Sequence, residues 1–174
     1  MHEILLLAMQ AGKLKEIKRE GWLRVGIEQP ENVACHSYRV AFLAMLIGDA
    51  LNLNTEKMLK MALLHDLAEA MIGDITPHDM EREEKMEREE AIMKKLLQDF
   101  EEYYRIWREF VEGKSKEAEI MQQIDKLEMI LQAHEYAAKY GRKKVEEFLG
   151  EEKNIAHPFL ISLLEEIKSS FSSS

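Results

Sequence analysis

Residues 63–77, LLHDLAEAMIGDITP, carry four side chains that can do chemistry within a stretch that otherwise resembles protein core. On a helical wheel His65, Asp66 and Glu69 share one arc, and Asp74 follows in a predicted turn. A buried carboxylate is normally paired with a cation or bound to a metal, because burying it alone is costly. The segment therefore predicts a metal-binding or proton-transfer site.

Two more polar side chains lie on other predicted helices. His36 shares an apolar stripe with Val40 and Ile47, and Asp125 lies within AEIMQQIDKLEMILQAHEY. Either residue alone is weak evidence, because a histidine on an apolar face is more often a hydrogen-bonded core residue. Inward His and Asp residues on three separate helices form a stronger pattern.

Two imidazoles and two carboxylates together suit a divalent metal ion of borderline hardness. Mn, Fe, Co, Ni and Zn fit such a ligand set, with Mg as a further candidate, and geometry rather than affinity would choose among them. Such an ion polarises a phosphoryl oxygen and lowers the pKa of water that it binds.

Helical periodicity runs through nearly the whole chain, and no strand-like alternation persists. Only 3 prolines and 8 glycines interrupt it. Asn32 and Thr55 are plausible N-caps. The pattern predicts an all-α, single-domain protein spanning residues 1–174, with a Ser-rich tail at 172–174. The predicted helices lie near residues 2–12, 14–20, 32–51, 55–71, 80–111, 115–140, 142–149 and 157–170.

Residues 80–111 contain a dense run of charges, which predicts one amphipathic helix with a solvated face. Its apolar positions recur at steps of three, four or seven residues: Met86, Met93, Leu97, Phe100, Tyr104, Trp107 and Val111. This stripe predicts packing in the core or against a partner subunit rather than a ligand site.

The chain has 174 residues, 46% of them hydrophobic, and a formal net charge of −9. This charge argues against a broad surface for a nucleic-acid polymer. No apolar run approaches the roughly 20 residues that span a bilayer, and the N-terminus lacks the basic region of a signal peptide. We therefore expect a cytoplasmic protein without a membrane partner, in which the lone Cys35 is a small core residue.

The order His36, then adjacent His65 and Asp66, then Asp125 resembles the H…HD…D ligand set of the HD-domain superfamily of metal-dependent phosphohydrolases. The segments REGWLRVGI, PENVACHSYRVA, LLHDLAEAMIGDITP and IDKLEMILQAHEY look like its 5′-deoxynucleotidase branch, over about residues 14–140. The resemblance implies an HD-type helical bundle, a homodimer, and a divalent metal ion held by these four residues.

The same resemblance assigns roles to three residues of the 63–77 segment. Glu69 and Asp74 match the carboxylates that position and activate the attacking water. Thr76 is a candidate phosphate donor, although a helix cap is the commoner role for a threonine in such a turn.

Upstream, Arg19 matches a phosphate-contacting arginine, and Trp22 matches an aromatic residue that packs near the sugar. Some bacterial members have arginine directly before tryptophan, whereas two residues separate Arg19 from Trp22 in this sequence. Lys18 is therefore an alternative to Arg19.

The resulting hypothesis is a metal-dependent phosphomonoesterase that converts deoxyribonucleoside 5′-monophosphates to deoxynucleoside and phosphate. One alternative is an HD-type phosphodiesterase or a hydrolase of an alarmone or nucleoside triphosphate. A second is a non-catalytic regulator that binds a metal or nucleotide. A third is a helical scaffold whose buried His and Asp residues only pair with each other.

Overall fold

The computed structural model describes residues 1–76 and 78–172, which form helices and turns without a β-strand. The α-helices are α1 His2–Gly12, α2 Glu20–Arg24, α3 Val33–Ala50, α4 Thr55–Leu64, α5 Glu69–Ile72, α6 Arg82–Leu96, α7 Glu101–Glu112, α8 Lys116–Tyr140, α9 Glu146–Leu149 and α10 Pro158–Ser172. Short 3₁₀ helices lie at Lys13–Lys15, Arg142–Val145 and Gly150–Asn154. The predicted all-α class is confirmed. Pro77 of the predicted turn and residues 173–174 of the predicted tail lie outside the described residues.

Helix α8 is the longest helix described and packs against α3, α4, α7 and α10. One large hydrophobic cluster runs from Trp22 to Leu164 and includes the fully buried Met58, Met61 and Trp107. This core fixes α3, α4 and α8 relative to each other, and the predicted ligands lie on or next to these three helices.

Asparagine side chains cap α3 and α4. Asn32 accepts a hydrogen bond from the backbone N–H of Cys35 at 2.8 Å, which confirms the predicted cap. The prediction for Thr55 is wrong, because Asn54 caps α4 and Thr55 is its first helical residue. The Thr55 hydroxyl instead donates to Asp49 at 2.7 Å.

The helix predicted over 55–71 is broken within the HD segment. Helix α4 ends at Leu64, residues 65–68 form turns, and α5 follows as a single turn of helix. Gly73 ends α5 at φ 77°, a left-handed conformation that costs glycine little. Leu63 and Met71 are exposed, so the segment is less uniformly buried than its composition predicted.

The helix predicted over 80–111 is two helices. The chain reverses between Leu97 and Phe100, which lets α7 return against α4 and α8. Leu97 and Trp107 are buried, so most of the apolar stripe belongs to the core, whereas Met86 at the start of α6 is exposed.

Residues 13–20 also differ from the predicted helix over 14–20. A 3₁₀ turn is followed by extended chain in which Lys18 pairs with Asn32, and α2 begins at Glu20. Cys35 is exposed rather than part of the core, because it lies on the opposite face of α3 from Val40 and the buried stripe. No helix among residues 1–76 and 78–172 is long and apolar enough to cross a membrane.

Candidate active site

His36 on α3 and His65 just after α4 direct one ring nitrogen each toward the same point. His36 Nδ1 contacts Glu128 Oε2, and His65 Nδ1 donates to the Ala62 carbonyl at 2.7 Å. With both Nδ1 atoms engaged, the two Nε2 atoms lie 3.3 Å apart. A ring whose Nδ1 is hydrogen-bonded to an oxygen acceptor presents Nε2 as a metal ligand.

Two aspartates complete the cluster. Asp125 Oδ1 lies 3.0 Å from His36 Nε2 and 3.9 Å from His65 Nε2. Asp66 Oδ2 lies 3.2 Å from His65 Nε2 and 3.7 Å from His36 Nε2. The structure thus brings together all four residues that were predicted to bind metal.

These residues fit a divalent cation. Asp66 Oδ2 is buried and has no hydrogen-bond partner, which is costly unless a cation is close. Two imidazole nitrogens and two carboxylate oxygens are the donor types that Mn, Fe, Co, Ni and Zn accept. The His36, His65 and Asp66 ligand atoms all lie within 4.8 Å of one another.

The electrostatic environment of the cluster favours ionised aspartates. Burial opposes their ionisation, but the nearby histidines hold the pKa values of Asp66 and Asp125 well below the usual range. Burial and the Arg19 charge lower the pKa of His36, but Asp125 and Glu128 outweigh them and raise it to about 9. A metal ion must therefore displace a proton from His36, so metal binding releases protons.

Behind His36, the fully buried Glu128 joins α3 to α8. Its Oε2 contacts His36 Nδ1, and its Oε1 accepts from Arg39 Nε at 2.8 Å. The Arg39 guanidinium also donates to Gln132 at 2.7 Å and to Glu135 at 2.8 and 2.9 Å. This network holds the orientation of the His36 ring from outside the metal cluster.

In front of the cluster lies a cavity of about 240 Å³. Its lining includes all five residues predicted to act on water or substrate, together with several that were not predicted. These residues are Arg19, Gly21, Trp22, Arg24, Asp66, Glu69, Asp74, Ile75, Thr76, Lys85, Asp125, Lys126, Met129 and Phe148.

Glu69 is only 2% exposed, and its Oε2 has no hydrogen-bond partner. Burial raises the pKa of its carboxyl well above the ordinary value, and the negative charges of Asp66 and Asp74 raise it further. A carboxylate with a raised pKa is a stronger proton acceptor than an exposed one.

Asp74 joins the turn after α5 to the start of α2. Its Oδ2 accepts a hydrogen bond from the backbone N–H of Glu20 at 2.6 Å, which satisfies one free donor at that helix end. Arg19 Nη1 lies 3.5 Å from Asp66 Oδ2 and faces the cluster. Lys18, the alternative to Arg19, is exposed on the other side of the extended chain.

Thr76 is buried, and its hydroxyl already has three partners. It donates to Asp79 Oδ2 at 2.6 Å and accepts from Arg24 Nη1 at 2.7 Å and from the His78 backbone N–H at 3.3 Å. Asp79 also accepts from the Thr76 backbone N–H at 2.8 Å, and the Asp79 N–H donates to the Thr76 carbonyl at 3.0 Å, so the threonine begins a small hydrogen-bonded turn. Its most direct effect on the cavity is to hold Arg24.

The aromatic side of the cavity has two rings. Trp22 is 1% exposed, and its Nε1 donates to Glu31 at 3.3 Å, so it is largely a core residue. Phe148 packs on Trp22 at a ring-centroid distance of 4.0 Å and is more accessible from the cavity. A Cβ at position 21 would lie 3.2 Å from the Phe148 ring, so Gly21 permits this close packing.

Sequence reasoning missed Glu128, Arg39, Lys85 and Phe148. Arg39 and Glu128 each lie three residues beyond a predicted ligand, on the same faces as His36 and Asp125. That pair of opposite charges was a usable signal. Lys85 was hidden in the charge run, and Phe148 in a short segment without clear periodicity.

An all-α bundle with a buried cluster of two histidines and two aspartates, open to a small cavity, defines a helical protein built to hold a divalent cation. The HD domain family matches residues 11–168, and the chain belongs to this family.

Individual relatives resemble the chain along most of its length. The 5′-deoxynucleotidase HDDC2 of Danio rerio is 38% identical over 175 residues, which cover 96% of this chain and 87% of the relative. The 5′-deoxynucleotidase hdd1 of Schizosaccharomyces pombe is 38% identical over 166 residues, 89% of this chain and 83% of the relative. The structure of a conserved hypothetical protein from Pyrococcus furiosus is 34% identical, with a TM-score of 0.85, and covers 95% of this chain and 99% of that one.

Proposed function

We propose that the protein is a metal-dependent phosphomonoesterase that hydrolyses deoxyribonucleoside 5′-monophosphates to deoxynucleoside and phosphate. The convergence of four ligand atoms from His36, His65, Asp66 and Asp125 beside the cavity carries the proposal. The relatives named 5′-deoxynucleotidases, 38% identical over most of both chains, support the substrate class.

The four clustered residues hold the divalent ion in this proposal. When bound, the ion supplies a Lewis acid for a phosphoryl oxygen and lowers the pKa of water. Glu128 keeps His36 in the tautomer that offers Nε2. Mn, Co, Fe, Ni, Zn and Mg are the candidate metals.

Glu69 accepts the proton that the attacking water loses. Its buried carboxyl, with a raised pKa and one unpartnered oxygen, suits this task. Asp74 orients the water with the carboxylate oxygen that the Glu20 N–H leaves free, and that N–H fixes the position of its side chain. Removal of a general base slows such reactions by about 10²–10⁴-fold.

On the substrate side, Arg19 binds phosphate oxygens, because its guanidinium already lies beside Asp66 at the floor of the cavity. Trp22 and Phe148 pack against the deoxyribose and leave little room for a 2′-hydroxyl. Thr76 contributes through Arg24, whose guanidinium it holds at the cavity wall.

We also place the enzyme in the cytoplasm, acting on free nucleotides, and propose that it forms a homodimer. Tyr38, Phe42 and Leu46 are exposed at successive turns of α3, and this apolar face supports burial against a second copy. Light scattering across a range of concentrations tests the dimer, and a monomer at every concentration would contradict it.

The decisive experiment incubates metal-loaded protein with a panel of deoxyribo- and ribonucleoside mono-, di- and triphosphates and measures phosphate release. We expect release from deoxyribonucleoside 5′-monophosphates, abolished by EDTA and restored by a divalent metal. Phosphate release from di- or triphosphates without release from monophosphates would instead support the larger-substrate alternatives.

A further inference from the structure

Helix α6 brings one lysine of its charge run into the candidate active site. Lys85 lines the cavity of about 240 Å³ together with Asp66, Glu69 and Asp125. It also lines a neighbouring cavity of about 320 Å³, which shares Asp125 and Lys126 with the first. Lys85 therefore lies where the two cavities meet.

The ammonium group of Lys85 is held in place, but not all of its hydrogen-bond donors have a partner. Its Nζ donates to the Ile75 carbonyl at 2.8 Å and lies 3.5 Å from Glu89 Oε1. An ammonium has three N–H donors, so one donor remains for a ligand. The side chain is 28% exposed, and the Ile75 contact anchors it to the segment that carries Asp74 and Thr76.

The cavity is lined by carboxyl groups and by a few cations that can bind a phosphate dianion. The carboxyl groups are those of Asp66, Glu69, Asp74 and Asp125, and the cations beside Lys85 are Arg19, Arg24 and Lys126. The Arg24 guanidinium already donates to Thr76 at 2.7 Å and to Glu147 at 3.2 Å, so Lys85 adds to the positive charge that Arg19 and Lys126 offer to a phosphate. Burial lowers the pKa of Lys85, but Glu89, Glu69, Asp66 and Asp74 outweigh burial and raise it, so the lysine is charged at neutral pH.

We propose that Lys85 is a catalytic residue that donates a hydrogen bond to a non-bridging oxygen of the substrate phosphate, in addition to Arg19. It adds to the positive charge of Arg19 and Lys126 in a cavity rich in carboxyl groups, and it continues to bind the phosphate product. The inference rests on the proposed function for its substrate and assigns a role to a residue of the charged helix.

The experiment compares Lys85→Met and Lys85→Arg with Lys95→Met, an exposed lysine on the same helix. Lys85→Met should lower kcat/KM for a deoxyribonucleoside 5′-monophosphate by about 10²-fold. It should also weaken binding of inorganic phosphate to the metal-loaded protein by about tenfold. Metal content should not change, Lys85→Arg should recover part of both losses, and Lys95→Met should match the wild type.

Glu89→Gln separates phosphate binding from a structural role for the ion pair. If Lys85 binds phosphate, removal of the competing carboxylate should leave phosphate affinity unchanged or higher. An equal loss of affinity in Lys85→Met and Glu89→Gln would overturn the proposal, as would unchanged phosphate affinity in Lys85→Met. Calorimetry with phosphate needs no turnover, so it tests Lys85 even if the wild type fails to hydrolyse nucleotides.

Discussion

The site has a rear wall, formed by α3 and α8, and a front wall, formed by α2, α5 and residues 73–76. The rear wall places His36 and Asp125 on helices of 18 and 25 residues, and Glu128 and Arg39 link them. The front wall consists of helices of five and four residues and a turn. Single hydrogen bonds hold it, such as Asp74 to the Glu20 N–H.

This difference in construction suggests a difference in task. Metal binding needs ligands that stay in place while the ion exchanges with solvent, and long packed helices provide that rigidity. Short elements joined by single cross-links can adjust to a substrate. We therefore expect substitutions in the rear wall to change metal affinity, and substitutions in the front wall to change turnover or substrate choice while the metal is retained.

The largest effect should come from removal of the metal or of a ligand. EDTA should abolish activity, and Mn or Co should restore it. Asp66→Asn should lose the ion and the stabilisation that it gives, which is about 2.7 kcal/mol at a metal concentration 100 times Kd. Thermal unfolding with and without metal measures this difference. Full metal occupancy in the variant would remove Asp66 from the ligand set.

The next largest effect is expected from Glu69→Gln, which tests whether a substitution in the front wall can lower turnover while the metal is retained. The variant should retain the metal and bind substrate, whereas kcat should fall by about 10²–10⁴-fold. Metal content, substrate affinity and kcat are measured on one preparation. Loss of the metal would make Glu69 a ligand, and a near-normal kcat would leave base catalysis to Asp74.

Measuring the stability of Glu69→Gln shows whether the variant folds normally. Burial, Asp66 and Asp74 raise the pKa of Glu69, so the folded protein favours the protonated carboxyl. The protonated Glu69 carboxyl stabilises the folded state relative to the unfolded state. This stabilisation is present at low pH and is lost as pH rises through the raised pKa. Metal-free Glu69→Gln should therefore unfold at a higher temperature than the wild type near neutral pH, and the gap should close in acid.

A smaller effect is expected from Glu128→Gln in the rear wall. The amide still accepts from His36 Nδ1 but cannot neutralise Arg39, so metal affinity should fall by about 10–100-fold. Competition with a chelator measures the change. Glu135→Gln removes the charge of another Arg39 partner without touching His36 and is the matched control. Equal affinities in both variants would mean that Glu128 does not position the ligand.

The smallest effect concerns sugar choice at the front wall. Trp22→Ala would cost about 3–5 kcal/mol of stability because the ring is buried, so Trp22→Phe and Phe148→Leu are the usable variants. Each should lower the ratio of kcat/KM for deoxyribo over ribo substrates by up to about tenfold, with metal affinity unchanged. An unchanged ratio in both variants would exclude these rings from the sugar site.

The rear wall could be predicted from the sequence and the front wall only in part. His36 and Asp125 stand out because helical periodicity places polar groups on apolar faces over many turns. The turns at 65–68 and the reversal at 97–100 could not be predicted, because periodicity averages over a window longer than either break. Phe148 reaches the cavity only through the tertiary packing of a short segment after α8.

The position of Phe148 separates two properties of the chain. Every predicted metal ligand precedes residue 141, whereas this ring belongs to the segment after Gly141. Gly141 ends α8 and has a φ of 94°. The link at 141–147 connects α8 to this ring. An insertion or deletion there would reshape the space for the nucleoside without moving a single ligand, so substrate range can diverge among homologues while the metal chemistry stays the same.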